Sequence, residues 1–247
     1  MHSNTVLIAL SRQRALQRQL DVVANNVANI TTDGFKRRSV RFSEYLMPVA
    51  SADAAPAGSR RISYVHDPAS PLDISGGAIE RTGNPLDVAI RGNGFFVVET
   101  AAGERYTRNG ALSLNQSGDL VTADGHRVLT TQGPLSFSAA DGAISIASDG
   151  TISTAQGTRG RLRLVSFANP ESLASEGRNL FASRQPAVPA DASVRLDTGA
   201  LERSNVSGVA EITRMMDITR SYTSLAQTIQ KTDELRRNTL ARFVDLT

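Results

Sequence analysis

The sequence predicts an α+β protein with N- and C-terminal α-helices packed as a coiled-coil-like pair, an extended arm, and a central all-β domain. Three observations carry this prediction. Leu16, Leu20, Val23, Val27 and Ile30 recur at spacings of four and three near one end of the chain. Met215, Ile218, Tyr222, Leu225 and Ile229 repeat that rhythm near the other end. Between them lie short alternating apolar runs punctuated by Asn-Gly and Asp-Gly pairs. Residues three and four apart share a helical face, so each terminal pattern makes one narrow apolar seam. A seam that narrow cannot be the core of a domain and needs a partner helix.

The first helix is expected over residues 4–32. Extending its seam backwards gives Gln13, Ala9 and Val6, a weaker half. Asn25, Asn26 and Asn29 lie off the seam, facing water or polar neighbours. Thr31-Thr32-Asp33-Gly34 is expected to stop the helix, with Gly34 left-handed. Residues 35–75 read as an extended arm without regular structure. Ser51–Gly58 is a small-residue linker, and Pro68 and Pro71 exclude a helix there. Lys36-Arg37-Arg38, with Arg41, reads as a solvated or interface face.

Residues 76–204 read as all-β, a sandwich or irregular barrel. Asn109-Gly110, Asp124-Gly125, Asp141-Gly142 and Asp149-Gly150 are expected at tight turns with positive φ at both positions. Tyr106-Thr-Arg-Asn-Gly110 reads as a hairpin of that kind. The last helix is expected from Asn205 to about Val244, capped by Ser204 or Asn205, with Glu211 in its early turns where a negative charge suits the helix dipole.

Composition narrows the function. The chain has 247 residues, a net charge of +3, no cysteine and no tryptophan. Thiol nucleophiles, disulfides and thiolate metal sites are therefore excluded. Scarce aromatics predict an aliphatic core. No run approaches the ~18 apolar residues of a membrane span, and no cleavable secretory signal is recognisable at the start. His2, His66 and His126 are scattered, with no metal-ligand spacing. Gly92-Asn-Gly94 runs into Phe95-Phe96-Val97, so it predicts a turn before a strand and not a phosphate loop. Asp87, Glu99 and Asp119 are expected in surface or turn roles. Catalytic, cofactor and metal residues are all read as none. An all-β hydrolase and a nucleic-acid binder using the Lys36–Arg41 run are the alternatives from other classes. The first lacks a nucleophile motif, and the second lacks basic–aromatic interleaving.

Three stretches carry a family resemblance. LDVVANNVANITTDGFKR near the start, TGNPLDVAIRGNGFFVVETAAGERYTRNGALSLNQSGDLVTADGHRVL in the middle, and SNVSGVAEITRMMDITRSYTSLAQTIQKTDEL near the end resemble bacterial flagellar rod and hook proteins, in that family's order. Within the family, Leu10–Asp21 resembles a proximal-rod component more than a distal-rod or hook-type subunit. Thr32-Asp33-Gly34 replaces the Asn-Thr-x-Gly usual at the helix stop.

The resemblance implies a structural subunit of a helical drive shaft in the periplasmic space, exported by the flagellar type III apparatus without a cleaved signal peptide. It implies a division into 1–34 and 205–247 as an inner tube domain, 35–75 as an arm and 76–204 as an outer β-domain. Implied partners are copies of the chain itself, other rod proteins and the surrounding rings, with no nucleic acid. Leu16, Leu20, Val23, Val27 and Ile30 with Met215, Ile218, Tyr222, Leu225 and Ile229 are the expected assembly interface. Their exposure in a lone chain predicts termini that order on assembly.

Overall fold

The computed structural model describes residues 2–48, 61–69, 71–177 and 179–244. Two helices flank a central multi-strand β region, an α+β arrangement. The chain forms two compact units. One contains Met1–Val27, Ser39–Ser70 and Gly208–Thr247, and the other contains Ala28–Arg38 and Pro71–Ser207.

The first unit holds α1 (His2–Ala28), β1 (Arg41–Pro48), β2 (Arg61–Ala69) and the long C-terminal helix, α2 (Gly208–Val244). At 1.5 Å per residue the helices are about 40 and 55 Å long. α1 ends four residues earlier than the seam suggests, so Ile30 lies in the following turn. β1 and β2 pair antiparallel, with an irregularity between Arg41 and Ser43. Part of the expected structureless arm is thus a β-ribbon, whose backbone hydrogen bonds period-based reading did not detect. The Ser51–Gly58 linker lies outside the described residues.

α2 begins at Gly208, so neither Ser204 nor Asn205 caps it. Both side chains are engaged elsewhere. Ser204 Oγ accepts from the Val206 N–H, and Asn205 is tied to the chain around residues 73–75. Glu211 does sit in the first turn of α2.

The second unit is built from short strands: β3 (Ile79–Arg81), β4 (Val88–Arg91), β5 (Phe95–Thr100), β6 (Gly103–Thr107), β7 (Leu112–Leu114), β8 (Leu120–Thr122), β9 (Arg127–Thr130), β10 (Gly133–Pro134), β11 (Ser145–Ile146), β12 (Thr151–Thr154), β13 (Gly157–Arg161), β14 (Leu164–Ser166), β15 (Ala174–Ser175), β16 (Phe181–Ala182), β17 (Val188–Pro189), β18 (Arg195–Thr198) and β19 (Ala200–Glu202). A ten-stranded sheet runs β15-β16-β6-β5-β9-β8-β7, with β10, β14 and β17 branching from it. Smaller sheets join β11-β12-β13, β18-β4 and β19-β3.

β5 explains why the run FFVV is continuously apolar. Phe96 and Val98 enter one core with Val88, Ile90, Leu120, Ile152 and Leu196, whereas Phe95 and Val97 enter a second. A strand buried on both faces has no polar side to alternate with. The second core is not aliphatic as expected. Phe167 packs edge-on to Phe95 and Tyr106 at centroid distances of 5.7 and 4.7 Å, and Phe181 lies 5.8 Å from Phe95. Few aromatics are present, but the fold gathers four of them in one place.

The Gly-containing pairs also depart from expectation. Among the described residues Asn179 is the only non-glycine with positive φ, so no turn here has two left-handed positions with Asn or Asp first. Asn109-Gly110 turns no hairpin: β6 pairs with β5 and β16, and β7 pairs with β8. Gly110 is required by close approach instead, because a Cβ there would lie 1.7 Å from the Val88 carbonyl oxygen. The Gly92–Gly94 segment leads into β5, as the sequence predicts.

Candidate functional site: a helix seam and a buried ionic cluster

In the first unit, side-chain hydrogen bonds join α1 to α2. Gln13 Nε2 donates to the Tyr222 hydroxyl at 3.0 Å, and Asn26 Nδ2 donates to Glu211 Oε2 at 3.1 Å. Moving up α1 from 13 to 26 moves down α2 from 222 to 211, so the helices run antiparallel. Of the ten predicted interface residues, Val23 and Ile218 are buried. Leu16, Leu20, Val27, Ile30, Met215, Tyr222, Leu225 and Ile229 are half-buried. Of the two surroundings expected for Asn26, water or a polar neighbour, it has the second: it and Glu211 are 0 % and 1 % exposed. The available signal was Glu211 itself, which stands four residues before Met215 and so continues the α2 seam.

α2 carries a second apolar face. Val209, Ile212 and Met216 are 80 %, 50 % and 52 % exposed. At about 100° per residue they lie roughly 130° around the helix from the seam. Six threonine and serine hydroxyls of α2, from Thr213 to Thr232, bond back to carbonyls one turn earlier. Their donors are satisfied within the helix.

In the second unit, the segment after α1 and the segment before α2 meet over a buried carboxylate. The Gly34 N–H donates to the Glu202 carbonyl at 2.6 Å. Gly34 has φ +69°, and a Cβ there would come within 2.6 Å of the Arg108–Asn109 backbone. Glu202 Oε1 accepts from Lys36 Nζ at 2.6 Å and from the Gly77 N–H at 2.9 Å, while Oε2 accepts from Arg108 Nε at 2.9 Å. Lys36 also donates to the Ser75 carbonyl at 2.6 Å. Arg108 spends its remaining donors on the carbonyls of Gly92, Gly94 and Ile90, at 3.0, 2.9 and 3.1 Å. Its guanidinium lies 5.8 Å from the Phe95 ring centroid.

Beside the cluster, Asn205 accepts from the Arg37 N–H at 2.7 Å and donates to the carbonyls of Asp73 and Ser75. The Lys36, Arg108 and Glu202 side chains are at most 4 % exposed. Lys36 is therefore not part of a solvated basic run. Glycine at 34 lets the chain press against Arg108, and that approach carries the lysine inside.

The charges shift one another. Burial, and then the Arg108 guanidinium, pull the Lys36 ammonium below the usual lysine range against the attraction of Glu202. Burial pushes the Glu202 carboxyl up, but Arg108 and Lys36, with their hydrogen bonds and that from Gly77, bring it below the usual range. Each polar group has a structural partner, which is the pattern of a fixing point. Asp87, Glu99 and Asp119 stay apart: Asp87 accepts from Asn84, Glu99 pairs with Arg127, and Asp119 binds Ser136 and Asn115. Among the described residues no group of three His, Asp or Glu side chains is placed to hold a metal ion. Among them, too, no helix is long and apolar enough to cross a membrane.

A seam between two terminal helices in one unit, and a fully partnered buried ionic cluster in the other, are the features of a structural protein that works through its surfaces. Residues 7–36 match the family described as flagella basal body rod protein. Residues 89–154 match the flagellar hook protein FlgE/F/G D1 domain, and residues 197–242 match the flagellar basal body rod FlgEFG protein C-terminal region. The chain is 36 % identical to the flagellar basal-body rod protein FlgF of Caulobacter vibrioides, over 97 % of this chain and 98 % of that one. It is 32 % identical to FlgF of Mesorhizobium japonicum, over 93 % of each. It is also 34 % identical to the rod protein FlgG of Bacillus subtilis, over 92 % of this chain and 94 % of that one. The chain belongs to the flagellar basal-body rod protein family, as an FlgF-type structural subunit of the rod.

Proposed function

We propose that the chain assembles helically with copies of itself and with other rod proteins, as part of the proximal drive shaft, and carries torque from motor to hook through packed contacts alone. The observation that carries this reading is the doubled apolar character of α2. One face supplies the seam toward α1, and a second, Val209-Ile212-Met216, is exposed. Heterologous contacts repeated along an axis give an open helix, the geometry of a rod.

In this reading α1 and α2 pair in coiled-coil fashion. Residues 1–34 and 205–247 form the inner tube, 35–75 the arm, and 76–204 the outward β-domain. Leu16, Leu20, Val23, Val27, Ile30, Met215, Ile218, Tyr222, Leu225 and Ile229 are the residues of the intra- and intersubunit seam. Export through the flagellar type III apparatus without a cleaved signal, and a periplasmic position in contact with the surrounding rings, complete the proposal. The chain performs no bond chemistry in it.

The test is Leu20→Asp in cells whose only copy is the variant. Hook–basal bodies should be lost while the β-unit of the purified chain melts as in the parent. Unfolding of the β-unit in the variant, or normal rods, overturns the assignment of Leu20 to an assembly seam.

A further inference from the structure

We propose that two polar pairs, Asn26–Glu211 and Gln13–Tyr222, fix the register of the antiparallel α1–α2 pair. An apolar heptad seam is nearly indifferent to sliding by seven residues, about 10 Å, because Leu, Val, Ile and Met then meet one another again. Polar residues at seam positions remove that indifference. Glu211 occupies the seam position before Met215, and Gln13 the one before Leu16. Each finds its partner on the opposite helix, Asn26–Glu211 near one end of the shared length and Gln13–Tyr222 near its middle. Arg214 Nη1 also approaches Glu211 Oε1, at 3.4 Å.

No neighbouring heptad register satisfies both pairs. Sliding α1 one way sets Glu211 level with Gln19, a usable amide. The same slip leaves Tyr222 level with Val6 and Gln13 level with Met215. Sliding the other way sets Gln13 level with Ile229 and Tyr222 level with Leu20. Glu211 then passes beyond the end of α1 at Ala28, toward the level of Asp33. A buried carboxylate that loses its cross-helix amide donor is disfavoured. The Glu211 pin alone would admit a second register, through Gln19, and the Gln13–Tyr222 pair excludes it.

The inference rests on the reading of α1 and α2 as axial helices, and its test separates the two. In cells carrying only the variant gene, Asn26→Glu alone and Glu211→Asn alone should each reduce assembled basal bodies at least about tenfold. The exchange Asn26→Glu with Glu211→Asn should restore them to within about twofold. Register is read directly because the chain has no cysteine. Met215→Cys is paired with Leu20→Cys for the present register, or with Val27→Cys for a slipped one, and assembled rods are treated with a short bismaleimide. The parent seam should link within one chain only through Leu20→Cys. A seam carrying Gln13→Leu, Asn26→Leu, Glu211→Leu and Tyr222→Phe should give both links in comparable yield. Exclusive Leu20→Cys linkage in that apolar seam, or an exchange variant as defective as its parents, overturns the register proposal. Normal rods with Leu20→Asp would instead overturn the axial reading beneath it.

Discussion

Glu202 should be the keystone of the buried ionic cluster, and Glu202→Gln more damaging than Lys36→Met. The carboxylate pairs with two buried cations, Lys36 and Arg108, and accepts three hydrogen bonds. In Glu202→Gln the amide NH2 must face either Lys36 Nζ or Arg108 Nε, donor against donor, and both cations lose their compensating charge. Removing one partner from a buried ion pair costs about 3–5 kcal/mol. Lys36→Met behaves differently. Glu202 keeps Arg108 and the Gly77 N–H, the Ser75 carbonyl keeps Asn205 Nδ2, and the repulsion between Lys36 and Arg108 disappears. The remaining loss is that of charge-assisted hydrogen bonds, about 1–3 kcal/mol.

The assay is urea unfolding of the full chain, read by hydrogen exchange at the amides of residues 95–98, which lie in the core of the second unit. With a denaturant slope near 2 kcal/mol per molar, Glu202→Gln should move the midpoint down by about 1.5–2.5 M and Lys36→Met by about half as much. The double variant should cost less than the two singles combined, because both remove the same contact. If Lys36→Met proves equal to or worse than Glu202→Gln, the carboxylate is not what holds the cluster and the reasoning fails.

Other outcomes follow from the same geometry. Gly110→Ala should destabilise the second unit by about 1–3 kcal/mol in the same experiment, because its new Cβ would overlap the Val88 carbonyl. Acid should weaken that unit. The folded Glu202 carboxyl titrates below its unfolded counterpart, so its contribution is present above the usual carboxylate range and lost as pH falls through the folded value. A pH series of melting curves should show a flatter acid limb in Glu202→Gln. At alkaline pH Lys36 contributes its own slope. Its folded pKa lies below the unfolded one, so stability should rise with pH between them, and Lys36→Met should abolish that rise. Ile212→Asp should leave the melting of the purified chain within about 0.5 kcal/mol of the parent, as an exposed position does. It should nevertheless lower the yield of basal bodies if the second face of α2 is an assembly surface.

What could be read in the sequence was whatever repeats. The seams on α1 and α2 are periodic, and Val23 and Ile218 are buried where the period places them. FFVV announces a strand through its own composition. What could not be read depends on approaches between distant segments. Lys36 stands in a run of three basic residues, and composition alone places such runs in water. Only the passage of Gly34 against the Arg108 backbone takes it inside, and that requires knowing that residues 34, 108 and 202 meet. Arg108 lies in a stretch, Tyr106–Gly110, that looked specific but was assigned to a turn. Its actual work is to hold the Gly92–Gly94 carbonyls and Glu202. Glu211 was legible as a dipole-complementing charge, and its place on the seam was equally legible from its spacing to Met215.

The two units use polar burial for the same reason. In the second, the segments around residues 33–37 and 202–206 are too short to bury much apolar surface, so nonpolar contact could hold them in many positions of similar energy. Hydrogen bonds with fixed donors and acceptors distinguish those positions, since shifting either segment by one residue separates the Glu202 carboxylate from a buried cation that it pairs with. The helix seam of the first unit has ample apolar surface but too much symmetry, and there Glu211 and Gln13 supply the distinction. Replacing either set with well-packed apolar residues could raise stability. The cost would fall on uniqueness, which is the property a repeating assembly multiplies: an ambiguity of one heptad in a single chain becomes a displaced contact at every neighbour.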